Sequence, residues 1–83
     1  MNYPKVQTVK AINEHTLLVE FDNSDRKLYD AAPLFEREAF SLLRNYGFFK
    51  NVKVEKSGYA VFWNDDIDLS EYELWTNGKA VDN

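Results

Sequence analysis

Three short segments with the character of β-strands, separated by polar turns, most constrain the fold of this chain. They cover residues 5–12, 16–22 and 26–30. In the second segment Leu17, Val19 and Phe21 share one face, which is the period of a half-buried β-strand. The turns between the segments are rich in Asn and Asp, whose side chains cap their own backbone. The sequence therefore predicts that an antiparallel meander opens the fold.

The middle of the chain carries the spacing of one amphipathic helix. Pro33 suits the first turn of a helix, and Gly47 suits the left-handed residue that ends one. Between them a stripe of apolar residues follows the helical period. The stripe consists of Phe35, Ala39, Leu42, Leu43 and Tyr46.

The last third returns to strands and closes with a short helix. Residues 51–56 and Tyr59–Trp63 flank a Ser57-Gly58 turn in which Gly supplies a positive φ. The second of these strands is apolar on both faces, which predicts either a central position in a sheet or another element that covers one of its faces. Ser70-Glu71-Tyr72-Glu73 is a capping box that begins the helix, Leu69 and Leu74 can form a hydrophobic staple around it, and Gly78 ends the helix. The tail, residues 79–83, is expected to fray.

Together these segments predict an α+β fold. It has an antiparallel sheet of about five strands in the order β-β-β-α-β-β-α, with a central amphipathic helix and a short C-terminal helix. Eighty-three residues correspond to one small domain, so residues 1–83 are predicted to form a single unit. The 45% hydrophobic and 16% aromatic content is too high for a disordered chain.

Composition excludes several kinds of chemistry. The absence of Cys removes disulfides, thiolate metal sites and thiol nucleophiles, and a single histidine, His15, removes multi-His metal sites. His15 lies in a predicted turn, where a solvated residue is a simpler interpretation than a catalytic base. No glycine-rich phosphate loop is present. We therefore expect a non-enzymatic protein without cofactors.

The same composition bears on location and on nucleic acid. No segment resembles a signal peptide or approaches the roughly 20 apolar residues that span a bilayer. Together with the absence of Cys, this predicts a cytoplasmic protein with no membrane association. The net charge of −4 argues against direct binding to a phosphate backbone.

The acidic excess is concentrated near the end of the chain. Residues 61–83 contain six acidic side chains and one basic side chain, directly after the aromatic strand. Some of these carboxylates complement the dipole of the C-terminal helix, but Asp65 and Asp66 precede the helix by several residues. An alternative is a surface that binds a basic protein, with charge steering the encounter and aromatic rings anchoring it. The predicted site residues are Asp65, Asp66, Asp68, Glu71, Glu73, Phe62, Trp63 and Tyr72.

Metal binding is a third interpretation of the acidic cluster. Asn64, Asp66 and Asp68 have the alternating spacing of a calcium loop. Counted from Asn64, however, Leu69 stands where such a loop requires Gly, and Trp75 stands where it requires a bidentate acid. The match therefore fails, and the predicted site contains no metal.

Several segments together resemble the bacterial domain-of-unknown-function family twenty-four forty-two. They are Tyr3-Pro4-Lys5-Val6, Thr16–Phe21, Asp30 before Pro33-Leu34, Phe40 with Leu43, Trp63 followed by Ile67-Asp68-Leu69, and a helix carrying Leu74. Asn23-Ser24 stands where the family usually has Asn-Gly. Asn64-Asp65-Asp66 follows Trp63 where the family usually has Pro-Asn/Asp-Gly, so Asp66 occupies a bend that can require a positive φ.

The resemblance implies an α+β fold and no established catalytic residues. Proteins of this kind look like small partner or regulatory modules, and some are similar to antitoxins. We therefore expect an antitoxin-like protein or phage-type inhibitor whose acidic patch masks a basic, nucleic-acid-handling protein partner. The alternatives are a regulatory module linked to DNA-binding proteins that assembles as a homodimer through strand edges, and a small metal-binding or hydrolytic protein.

Overall fold

The computed structural model describes residues 3–81. Within this range, seven strands and two α-helices are joined by turns and by two 3-10 helices. The strands are β1 (Val6–Ala11), β2 (Thr16–Phe21), β3 (Arg26–Asp30), β4 (Lys53–Val54), β5 (Ala60–Asn64), β6 (Ile67–Ser70) and β7 (Lys79–Ala80); the 3-10 helices are Ala32–Glu36 and Glu38–Arg44; the α-helices are α1 (Tyr46–Phe49) and α2 (Glu71–Asn77). All strand pairs are antiparallel, which confirms the predicted α+β class.

The first three strands form the predicted meander, and β7 extends it at one edge. The strand order is β1-β2-β3-β7. Leu17, Val19 and Phe21 are fully buried on the inner face, as their alternation predicts. The pairing of β1 with β2 shifts register between Val6 and Thr8, where a bulge bends the edge strand.

The remaining three strands form a second sheet with the order β4-β5-β6, so the strands divide between two sheets and do not form the one sheet of about five strands that the sequence predicts. The strand that is apolar on both faces, β5, is central, which confirms the position predicted for it. β6 is an addition to the predicted strands. Its residues nevertheless alternate, since Ile67 and Leu69 are buried and Asp68 and Ser70 are exposed.

The segment between the sheets differs from the single amphipathic helix that its apolar spacing predicts. Arg37 and Asn45 have extended backbone angles, which divide the segment into two 3-10 helices and the single turn of α1. Asn45 caps that turn because its side chain accepts a hydrogen bond from the Phe48 N–H. Leu42 and Tyr46 belong to the predicted inward stripe, but they are 53% and 46% exposed.

Gly58, and not Gly47, is the glycine whose backbone conformation the fold requires. Gly47 lies inside α1, whereas Gly58 has a φ of 78° in the turn predicted for it. The Gly58 carbonyl accepts a hydrogen bond of 2.8 Å from the N–H of Val6. A Cβ at position 58 would lie 2.9 Å from the Val6 carbonyl oxygen and from the Cβ of Lys5. The turn between β4 and β5 is therefore hydrogen-bonded to the beginning of β1, which connects the two sheets.

Ser24 also has a positive φ, of 74°, in the turn between β2 and β3. It is the residue that stands where the similar family has the glycine of Asn-Gly. Within residues 3–81, Ser24 is the only residue other than glycine with a positive φ. The bend at Asp66 therefore does not require the left-handed conformation that its alignment with a family glycine suggested.

One buried cluster connects the two sheets with the helical segments. Phe21 of the first sheet, Val61 of the second and Leu43, Phe49 and Leu74 of the helical segments are all fully buried members of it. Both sheets consequently share a single core. Aromatic rings supply much of its volume, and burial of such rings dominates the stability of small cores.

The C-terminal helix begins at the predicted residue but with only the Ser70 half of the predicted capping box, because the Glu73 carboxylate accepts a hydrogen bond from the Tyr29 hydroxyl instead. The Ser70 hydroxyl oxygen accepts a hydrogen bond of 3.1 Å from the backbone N–H of Glu73, and Gly78 follows the last helical residue. Leu69 and Leu74 are both buried, in agreement with the predicted staple.

The beginning of the predicted frayed tail is a strand. β7 pairs with β3, and the N–H of Val81 donates to the Arg26 carbonyl over 3.0 Å. The prediction that residues 79–81 fray is therefore wrong. A strand of two residues is too short to show a pattern of alternation, and its pairing with β3 cannot be read from the segment itself. Residues 82 and 83 lie outside the described range.

Candidate functional site

The acidic segment begins in a tight turn between β5 and β6. The Asn64 side-chain oxygen accepts hydrogen bonds from the backbone N–H groups of Asp66, at 2.8 Å, and Ile67, at 2.9 Å. Asn is suited to this position because its side chain can replace a backbone acceptor. The side chains of Asp65 and Asp66 are consequently held at the exposed end of the hairpin.

A hollow lies on the outer face of the second sheet, beside this turn. It has a volume of about 210 Å³ and is lined by Glu55, Phe62, Asn64, Asp65 and Asp68. We call these five residues the hairpin hollow. Three carboxylates thus surround one aromatic ring, which is half-buried.

The register of the sheet explains why these side chains meet. Phe62 is the cross-strand partner of Asp68 on one side and of Lys53 on the other. Cross-strand partners point to the same face of a sheet, and so do residues two apart on one strand. Glu55, two residues after Lys53, therefore lies near the same face. Lys53 is the nearest cation in the sheet and stands on the side of the ring opposite to Asp68.

Three of the predicted acidic residues are exposed without a protein partner. Among residues 3–81, no side chain forms an ion pair with Asp65, Asp66 or Asp68, and no group donates a hydrogen bond to their carboxylates. These carboxylates are exposed at the surface and available to an external cation.

The other two predicted acidic residues have partners inside the protein. Glu71 lies 3.6 Å from the Lys5 ammonium, and its side chain is 16% exposed. Glu73 accepts a hydrogen bond of 2.8 Å from the Tyr29 hydroxyl. Burial, the hydrogen bond to Glu73 and the negative charge of that carboxylate raise the pKa of Tyr29 above its ordinary value of 10.0. The structure therefore does not place Glu71 and Glu73 with the exposed aspartates.

The predicted aromatic anchors also divide. Trp63 packs inward: its ring stacks on Phe49 with centroids 5.9 Å apart, and its Nε1–H donates to the Phe49 carbonyl over 2.7 Å. Tyr72 lies on α2 and is 52% exposed. Its ring meets the ring of Tyr3 edge-on and does not line the hollow. Of the three rings, only that of Phe62 lines the hollow.

Glu55 is a member of the hollow that the sequence did not indicate, and Asn64 was indicated only as the first residue of the calcium-like spacing. Glu55 is separated from the acidic segment by about ten residues along the chain, and only the pairing of β4 with β5 brings it near. Alternation in residues 51–56 was the available signal, because it places Glu55 on the polar face of its strand.

The described residues show no assembled cluster of metal ligands. Within residues 3–81, no group of three or more His, Asp or Glu side chains is arranged to hold a metal ion. Asn64 is the first residue of the calcium-like spacing. Its side-chain oxygen already accepts hydrogen bonds from two backbone N–H groups of the turn. His15 lies in its predicted turn, with its Nδ1 atom 3.2 Å from the Asp30 carboxylate and 3.1 Å from the Thr16 hydroxyl.

Among the described residues, 3–81, no helix has both the length and the apolar character needed to cross a membrane.

The fold and the hollow define a small α+β protein with an acidic surface hollow whose lining includes one aromatic ring. A family model described as a protein of unknown function, DUF2442, matches residues 6–80. The chain therefore belongs to this family, which confirms the resemblance drawn from its sequence. No curated protein and no solved structure matches the chain.

Proposed function

We propose that this chain is a non-enzymatic protein-binding module, antitoxin-like or of the phage-inhibitor type, that masks a basic surface of a nucleic-acid-handling partner. The hairpin hollow would receive a Lys or Arg side chain of that partner. The observation that carries the proposal is the combination of unpaired, exposed aspartates with an accessible aromatic ring at the same place.

The chemistry of the hollow suits a cationic side chain. The stem or the guanidinium plane of such a side chain can lie against the Phe62 ring, where the π-electrons attract the cation. Asp65 and Asp68 then provide the opposite charge, and planar Arg can bind a carboxylate through two hydrogen bonds. Glu55 adds a third carboxylate at the border of the hollow.

The expected energies are modest for each contact. An exposed ion pair contributes about 0.2–1 kcal/mol, so several pairs and the aromatic contact are needed for useful affinity. Surface charges chiefly accelerate and orient the encounter, and their contribution falls as salt screens them. Binding is therefore expected to weaken strongly with ionic strength.

The test uses a fluorescent oligoarginine peptide of about nine residues as the probe for a basic partner surface. Fluorescence anisotropy measures its affinity for the wild type, for Asp65→Asn/Asp68→Asn and for Phe62→Leu. Loss of two pairs predicts a fall of about two- to thirtyfold in affinity. In the NMR spectrum of the wild type, the peptide should shift the signals of residues 53–55 and 62–68.

The matched control is Glu36→Gln/Glu38→Gln, which changes the net charge equally at exposed positions outside the hollow. At physiological salt the affinity of this control for the peptide should fall by less than about twofold, because charges are screened beyond about 8 Å. Equal losses in the two double variants would show that only net charge matters and would refute the proposed site. A single-stranded DNA oligonucleotide should not bind; if it did, the assignment to a protein partner would be wrong.

A further inference from the structure

The helix α2 ends at Asn77, and Gly78 follows it directly. Asparagine is a chemically labile residue, because the backbone nitrogen of the next residue can attack its side-chain carbonyl carbon without an enzyme. Glycine permits the closest approach of that nitrogen, since it carries no side chain. Asn77 is exposed, and among the asparagines of residues 3–81 it is the only one that precedes a glycine. This pair of residues is therefore a candidate site of covalent modification.

The other asparagines in the described range have side chains that are held by hydrogen bonds. The side-chain oxygens of four of them accept a backbone N–H over 2.8–3.1 Å: Asn13, Asn23, Asn45 and Asn64. The fifth, Asn51, donates from its side-chain amide to the Gly47 carbonyl over 3.0 Å. Within residues 3–81, the side chain of Asn77 makes no hydrogen bond. Its carbonyl carbon can therefore turn toward the following nitrogen without first breaking such a bond.

The backbone at Gly78 explains both why glycine stands there and why the reaction is slow in the folded chain. A Cβ at position 78 would lie 2.5 Å from the Leu74 carbonyl oxygen and 3.0 Å from the Cβ of Lys27. The close approach of the helix end to β3 thus favours glycine, although its φ of −76° is open to any residue. The Gly78 N–H donates to the Leu74 carbonyl over 3.0 Å. The nitrogen becomes available for attack only when the last turn of α2 opens.

We propose that Asn77 is a site of spontaneous deamidation that is controlled by opening of the last turn of α2. In the open state the Gly78 nitrogen attacks the side-chain carbonyl carbon of Asn77. A C–N bond forms between them, and the bond from that carbon to the side-chain nitrogen breaks. The side-chain nitrogen takes up the proton that the Gly78 nitrogen loses and leaves as ammonia.

Water completes the reaction by opening the five-membered imide that remains. Asn77 borders a surface hollow of about 420 Å³, so water reaches the imide. Addition of water at one carbonyl breaks the bond that has just formed and yields aspartate. Addition at the other carbonyl breaks the original main-chain bond and yields isoaspartate, in which the main chain runs through the former side chain.

Both products change the junction between α2 and β7. The new carboxylate lies four residues after Glu73 and borders the same hollow, and like charges at this spacing repel each other. A negative charge at the end of a helix also opposes the helix dipole. Isoaspartate adds a methylene to the main chain just before β7, whose two residues pair with Lys27 and Leu28. We therefore expect the isoaspartate product to lose the pairing of β7 with β3.

Peptide mapping by mass spectrometry tests the site after the full chain has been incubated at neutral pH, both folded and in concentrated urea. In the folded chain Asn77 should be converted before any other asparagine of residues 3–81. It should react about tenfold or more slowly than in urea, because the folded chain reacts only through the open state. Asn77→Gln is the matched control, since glutamine would have to form a larger ring. This variant should keep the fold, as measured by circular dichroism, and should show no reaction at position 78.

Hydrogen exchange measured by NMR tests the proposed control. The protection factor of the Gly78 N–H should agree within about threefold with the ratio of the two deamidation rates, because both processes need the same opening. In the purified isoaspartate product the Val81 N–H, which donates to the Arg26 carbonyl, should lose its protection. The proposal is overturned if another asparagine reacts first, if folding does not slow the reaction, or if the two factors disagree. A product that keeps full protection at Val81 overturns the effect assigned to β7.

Discussion

The hydrogen bond between Tyr29 and Glu73 provides a prediction that can be worked through quantitatively. Tyr29 is 4% exposed, and its hydroxyl donates to the Glu73 carboxylate over 2.8 Å. A hydrogen bond to a charged group contributes about 1.5–3 kcal/mol. Because Glu73 is only partly buried, water can replace the donor in part, so we expect Tyr29→Phe to lower the free energy of unfolding by about 1.5 kcal/mol at pH 7.

The same contact predicts how this difference changes with pH. The folded protein raises the pKa of Tyr29, chiefly by burial and then through Glu73. The unfolded chain releases this proton near pH 10 while the folded chain keeps it. The stabilisation is therefore complete below about pH 10 and is lost as the pH rises toward the folded pKa, by at most about 1.4 kcal/mol for each pH unit.

Urea unfolding followed by tryptophan fluorescence at pH 7, 9 and 10.5 measures both effects. The stability gap between wild type and Tyr29→Phe should shrink above about pH 10, because the variant lacks the titrating hydroxyl. Tyr46→Phe is the control, since Tyr46 is an exposed tyrosine. A gap that stays constant from pH 7 to 10.5, or a variant as stable as the wild type at pH 7, would contradict the role assigned to this pair.

Two further substitutions test the backbone of the turns. Ser24→Gly should raise the free energy of unfolding by about 1 kcal/mol, because glycine adopts the positive φ of 74° without steric cost. Gly58→Ala should lower it by about 2–4 kcal/mol, because the added Cβ meets Val6 and Lys5 in a left-handed conformation. Urea unfolding midpoints measure both variants, and a change of the same sign in the two would show that the turns do not require these conformations.

Local patterns were sufficient for β1 to β5 and for the beginning of the C-terminal helix, but not for β6 and β7. Alternation over Thr16–Phe21 predicts which side chains are buried, because successive residues of a strand point to opposite faces whatever the sheet around them. Ser70 predicts the beginning of α2 for a similar reason, since a cap acts within three residues. The middle segment lacked such a determinant: its apolar spacing fitted a helix, but extended residues at Arg37 and Asn45 divide it.

The candidate site was predicted in part, and the reason lies in sequence distance. Asp65, Asp66 and Asp68 remain exposed because they belong to one hairpin whose turn is built locally around Asn64. Glu73 follows only five residues after Asp68, yet its carboxylate is directed to Tyr29. No local pattern contains that contact, because it joins residues far apart in the chain.

The order of residues by itself determined the α+β class, the meander, the Ser70 cap of α2 and the presence of a carboxylate-rich segment after the aromatic strand. Each of these depends on the spacing of neighbouring side chains or on groups within one turn of chain. Only the tertiary structure decided which carboxylates face water, that Trp63 packs inward, and that Glu55 joins Phe62. These outcomes depend on strand register and on competition for burial in one small core, and both bring together residues that are distant in sequence.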